Sequence, residues 1–180
     1  MLSFKDYIKE QHDIEYKDEA RYIFSRNTVW EPRDKSGLML ADLKPGPYAV
    51  WYGIGRQWLD WMRINSPKWI SNYNAIFEIQ VNDVLLLDTA DKVRQFDEMA
   101  GVREQGSDAI SEPLLGLKAE DRYKVIDWNL VATQYKGVEF NPYLHSIRHE
   151  YLWYSSIDLS SGVIFDPVRG ITDAKLVWKR

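Results

Sequence analysis

The stretch 127–166, DWNLVATQYKGVEFNPYLHSIRHEYLWYSSIDLSSGVIFD, decides how this chain is read, because it sets a helix, a turn and strand-like runs side by side. Asp127 stands where an N-cap would accept backbone N–H bonds. Trp128, Val131, Ala132 and Tyr135 then recur at the spacing of one helix face. Gly137 is expected to end that helix in the left-handed conformation. Val138-Glu139-Phe140 reads as a short strand with Val138 and Phe140 on one face and Glu139 on the other, since side chains alternate along a strand. Pro142 ends its ladder. Tyr151 to Ile157 and Val163 to Phe165 read as two more strands around the turn residues Asp158-Leu159-Ser160-Ser161-Gly162.

Working outward, residues 1–20 read as an N-terminal helix: Ser3 caps it, and Phe4, Tyr7, Ile8 and Gln11 follow helical spacing. Tyr22 to Ser25 is a β-branched and aromatic run bracketed by Arg21 and Arg26, which predicts a strand with an arginine at each end. Residues 27–47 carry Pro32, Gly37, Pro45, Gly46 and Pro47, too many breakers for a regular element, and form a first long loop. Tyr48 to Tyr52 is an apolar strand ended by Gly53, and Gly55 leads into a helix with Trp58, Leu59, Trp61 and Met62 on its apolar face. Ala75 to Val81 and Val84 to Leu87 are expected to pair across an Asn82-Asp83 turn. Thr89 caps a helix over 91–100 that Gly101 ends, residues 102–118 form a second long loop, and Lys175 to Trp178 supplies a last edge strand. The fold class is therefore α+β: a single domain over 1–180, with mixed, mostly antiparallel sheets and flanking helices.

Composition bounds the function. The chain of 180 residues has 45% hydrophobic content, with 8 Trp and 11 Tyr, enough to bury a core. It has no Cys, which excludes disulfides, thiolate catalysis and thiolate metal sites. A net charge of −4 with scattered Lys and Arg does not favour a nucleic-acid backbone as the default partner. No apolar run reaches the roughly 18 residues of a membrane span, and the first residues alternate acid and base unlike a secretory signal. The expected location is cytoplasmic.

No Walker-type loop, nucleophile elbow or His-Glu-x-x-His motif is present. The Gly53-x-Gly55 turn lacks the third glycine of a dinucleotide fingerprint, leaving a tight turn into a core helix or one wall of a ligand pocket. His145 and His149, four apart, match two metal ligands on a helix face, but nothing beside Pro142 demands a helix there. An ordinary surface or capping role is the expectation, with no metal. Glu139 leaves a helix and a glycine onto a strand between apolar residues, where a fixed carboxylate can stabilise a developing oxocarbenium ion. The bland alternative is a partly exposed strand carboxylate.

The order of these elements resembles the ADP-ribosyltransferase fold: an arginine-bearing strand, an aromatic strand with a Gly turn and helix, paired strands near 75–88, then a glutamate on a late strand. That resemblance implies a catalytic Glu139 in Lys136-Gly137-Val138-Glu139 and an NAD-holding Arg26 in Phe24-Ser25-Arg26, with Arg21 as its rival. It departs from the family in having Trp51-Tyr52-Gly53 where a Ser-x-Ser triplet is expected, and no Glu-x-Glu or Gln-x-Glu at Glu139. The implied function is transfer of ADP-ribose from NAD to a protein or nucleic-acid acceptor, with NAD held between Arg26 and Trp51, Tyr52 and Gly53. The alternative, from the abundance of Trp and Tyr, is a non-catalytic protein that binds a partner through an aromatic surface.

Overall fold

The computed structural model describes residues 15–32, 42–46, 49–103 and 124–180. Among the described residues nine strands are formed: β1 Arg21–Ser25, β2 Val50–Ile54, β3 Ala75–Val81, β4 Val84–Leu86, β5 Gly101–Arg103, β6 Lys124–Ile126, β7 Gly137–Phe140, β8 Ser161–Ile164 and β9 Ile171–Lys179. The helices are α1 Gln57–Asn65, α2 Pro67–Ile70, α3 Ala90–Ala100, α4 Trp128–Gln134, α5 Leu152–Ser155 and α6 Pro167–Gly170. Seven strands make one sheet in the order β4-β7-β8-β2-β1-β3-β9, and β5 pairs with β6. All pairs are antiparallel except β4 with β7. The architecture is thus α+β with a mostly antiparallel sheet.

The connection between β3 and β4 forces the sheet to curl. Only Asn82 and Asp83 separate them, yet β7, β8, β2 and β1 lie between them in the sheet. In a flat sheet five strand spacings of about 4.8 Å would hold them roughly 24 Å apart. Three Cα–Cα steps of about 3.8 Å cannot span that. The sheet therefore bends until the two ends approach, and Asp83, at φ 54°, takes the left-handed turn. Asn82 N–H donates to the Gly170 carbonyl (3.0 Å), and Lys136 N–H to that of Asp83 (2.9 Å), which stitch the closure. The expected β3–β4 hairpin is thereby corrected: β4 pairs in parallel with β7, Val84 to Gly137 and Leu86 to Glu139.

Curling gives the sheet two unlike faces. Its inner face collects Ile23, Tyr52, Ile54, Phe77, Ile79 and Ile164. Its outer face carries two helical layers. One gathers α3, α4 and α5 over Val138, Phe140 and Val163. The other sets Leu59, Met62 and Ile70 of α1 and α2 against Phe24 and Trp178.

Several local expectations change in the folded chain. Asp127 caps α4 through the Leu130 N–H (3.1 Å) as expected, but the helix ends at Gln134 with extended Tyr135. Gly137 opens β7 instead, where a Cβ would run into the Val163 carbonyl. The expected strand 151–157 is helical at Leu152–Ser155. Trp153 and Tyr154 are both fully buried in one cluster, which neighbours on a strand could not achieve, since they would face opposite sides. On α1 the buried stripe is Leu59 and Met62, with Trp58 and Trp61 half-buried beside it; Trp128, on the expected face of α4, is buried, as is Phe96 of α3. Of the expected N-terminal helix, residues 1–14 lie outside the described residues, and 15–20 are not helical. The described parts of the first expected loop, 27–32 and 42–46, are irregular, whereas the described start of the second, Val102 and Arg103, is corrected to strand β5; 33–41, 47 and 104–118 lie outside the described residues. Among the described residues no helix is long and apolar enough to cross a membrane.

Candidate functional site

Glu139 lies in the middle of β7, opposite Gly162 of β8, which in turn faces Tyr52 of β2. These three positions form a row across the sheet on its inner face. A Cβ at position 162 would overlap the Tyr52 phenol, so only glycine lets that ring lie across β8 toward Glu139. Tyr52 O–H donates to Glu139 Oε2 at 2.7 Å. Arg21, opening β1, completes the cluster: its Nε donates to Oε2 at 2.6 Å and its Nη2 to Oε1 at 3.1 Å. This is the two-point guanidinium–carboxylate pairing that fixes orientation as well as charge.

Burial and charge divide the roles. Glu139 is only 3% exposed, and the bland expectation of a partly exposed strand carboxylate is corrected accordingly. The Arg21 side chain keeps 31% of its surface in solvent and opens on a shallow depression shared with Lys17, Glu78 and Gln80. Burial pushes the Tyr52 phenol far above the ordinary tyrosine range, and the Glu139 carboxylate pushes it further, so Tyr52 remains a neutral donor. Burial pulls the Arg21 guanidinium down, but its bond to Glu139 and that carboxylate's charge outweigh this and raise it overall. The result is a fixed carboxylate at the end of a cationic side chain that reaches the surface.

The structure brings together Glu139 and Tyr52 from the expected site, with Arg21 in the place assigned to Arg26. Arg26 follows the far end of β1, about 16 Å along the strand at roughly 3.3 Å per residue. It lies in a separate depression with Asn27, Glu31 and Asn74. Trp51 and Gly53, the neighbours of Tyr52, point to the outer face, where Trp58 packs on Gly53. In the folded sheet Arg21 shares the inner face with Ile23, while Arg26 lies beyond the end of β1. The sequence marked Gly162 only as a turn residue, and the structure corrects this by placing it inside β8. Among the described residues no group of three or more His, Cys, Asp or Glu is placed to hold a metal ion.

Comparison with protein-family models, with curated proteins and with solved structures finds no match for this chain.

Proposed function

We propose that the chain is an NAD-dependent ADP-ribosyltransferase-like protein whose reacting centre is Glu139 with Arg21 and Tyr52. One observation carries the reading: an arginine on the first strand and a glutamate on a late strand, 118 residues apart, meet on one face of the sheet. NAD presents two charge demands, an anionic pyrophosphate and a ribose that becomes cationic as nicotinamide leaves. Arg21 and Glu139 are a matching cation and anion, at present satisfying one another. In the reaction the bond from nicotinamide nitrogen to ribose C1′ breaks, and the electron pair leaves with nicotinamide. The acceptor's nucleophile then bonds to C1′ and loses its proton. Glu139 supplies negative charge where the oxocarbenium ion forms. Arg21, the exposed partner, turns toward the pyrophosphate and uncovers the carboxylate, while Tyr52 holds Oε2 in place. The acceptor is an unidentified protein or nucleic acid.

The test is release of nicotinamide from NAD by wild type and by Glu139→Gln. The substitution is nearly isosteric but neutral, so turnover is expected to fall at least about a hundredfold, the scale for loss of an electrostatic stabiliser. NAD binding, followed by thermal shift, should persist, because the lost interaction belongs to the transition state. Equal turnover in the two proteins would end the assignment. The rival reading, a non-catalytic partner-binding protein, draws on exposed Ile64 (81%) and Trp69 (49%). It takes precedence if wild type neither turns over nor binds NAD.

A further inference from the structure

On the outer face the two helical layers form separate clusters of buried residues. Between them β2 and β8 present the pair Gly53–Ser161, one residue without a side chain and one with a short one, beside the pair Trp51–Val163. The sheet surface is therefore low at this seam. A cavity of about 200 Å³ opens there, walled by Trp51, Trp58, Trp61 and Trp69. The Trp61 and Trp69 rings lie 6.0 Å apart and inclined by 46°, making a corner of indole surface. Half of the chain's 8 tryptophans thus line one small cavity, on the sheet face opposite Glu139.

The polar lining selects the occupant. Asp158 is already countered by Arg148, whose Nη2 stands 3.1 Å from its Oδ1. Lys44, exposed at the rim, has no ion-pair partner among the described residues, so with Asp158 paired to Arg148 the uncompensated charge of the lining is positive. The Ser156 hydroxyl donates to the Trp153 carbonyl (2.7 Å) and the Ser161 hydroxyl to that of Leu159 (3.0 Å), so each of these lining residues has its proton committed and an oxygen left to accept. Indole surfaces favour a flat ring, the hydroxyl oxygens favour N–H groups on its edge, and Lys44 favours an anion attached to it. A quaternary cation, the other group that indoles attract, is opposed by Lys44. We propose that this seam is a binding site for a nitrogen-bearing aromatic ring that carries an anionic substituent, as in a nucleotide or an aromatic acid.

The experiment follows the indole N–H resonances while the whole chain is titrated with AMP, indole-3-acetate, adenosine or inorganic phosphate. AMP or indole-3-acetate is expected to shift the signals of Trp51, Trp58, Trp61 and Trp69 saturably, and the tighter of the two identifies the source. Adenosine should bind at least about threefold more weakly than AMP, within the range of one exposed ion pair, and phosphate alone should leave the indoles unmoved. Lys44→Gln, at an exposed position, should erase the AMP–adenosine difference. Trp69→Ala should weaken AMP at least about fivefold through lost stacking. Glu139→Gln should leave AMP affinity unchanged, which separates this site from the opposite face. The proposal is overturned if neither anionic probe moves the four indoles at millimolar concentration, or if adenosine matches AMP. Indifference to Lys44→Gln, or tighter binding of tetramethylammonium, overturns it equally.

Discussion

Glu139 accepts three hydrogen bonds, two from Arg21 and one from Tyr52, inside an otherwise apolar curl of sheet. Removing one member of a buried ion pair typically costs 3–5 kcal/mol, because the other charge is left uncompensated. Arg21 retains solvent on about a third of its side chain, so Glu139→Gln is expected to cost somewhat less, about 2–4 kcal/mol in urea unfolding. A loss below about 0.5 kcal/mol would show that the pair contributes orientation alone. Gly162 gives a second probe, since it carries no charge of its own and what an added Cβ would meet is the Tyr52 ring. Gly162→Ala places a methyl group into the Tyr52 ring, and the ring must leave the row that carries its hydroxyl to Glu139. The expected destabilisation is about 1–3 kcal/mol, as for overpacking, together with a loss of NAD turnover. Unchanged stability would mean that the ring has room to yield.

At the scale of elements, short helices gain their stability from what they pack against, since two turns of helix are marginal alone. Asp97 on α3 shows how they are tied together. It is 4% exposed and accepts from Trp153 Nε1 of α5 at 2.9 Å and from Lys124 Nζ of β6 at 2.7 Å. One carboxylate thus joins two helices to the two-stranded sheet. Trp153→Phe keeps most of the aromatic contact with Phe96 and Phe140 but removes the indole donor. It is expected to cost about 1–3 kcal/mol, the penalty of leaving a buried acceptor short of a partner, measured as a lower urea midpoint. A midpoint equal to wild type would place the whole burden of holding Asp97 on Lys124.

Over the whole molecule, burying so many aromatic residues ties stability to alkaline pH. Burial raises the phenols of Tyr16, Tyr52, Tyr73, Tyr151 and Tyr154, and takes that of Tyr143 to about 12 from its ordinary 10.0. Above the unfolded tyrosine value the unfolded chain releases protons that the folded chain keeps, so the unfolded state binds fewer and stability falls as pH rises. The stabilising contribution is complete below about pH 10 and is lost progressively from there through the folded values. The urea midpoint should therefore fall steeply between pH 10 and 12 as tyrosinate absorbance appears together with unfolding. Tyrosinate forming at pH 10 in the still-folded chain would contradict the burial of these rings.

What the sequence determined by itself lies within single elements. The caps at Thr89 and Asp127, the strands at 75–81 and 138–140 and the edge strand near 175–178 follow from periodicity and capping chemistry, which act over a few residues. The opposition of Glu139 to Val138 and Phe140 was likewise legible, because alternation is a property of one strand. Tertiary structure decided which elements meet. The β3–β4 link looks like a hairpin locally, yet burying both sheet faces sends β4 to the far edge beside β7. Residues 152–155 have strand composition, yet a helix alone turns both Trp153 and Tyr154 into one core. Arg21 and Arg26 looked equivalent as the two ends of one strand. Only the curl of the sheet, which carries Glu139 across to the beginning of β1, chose between them.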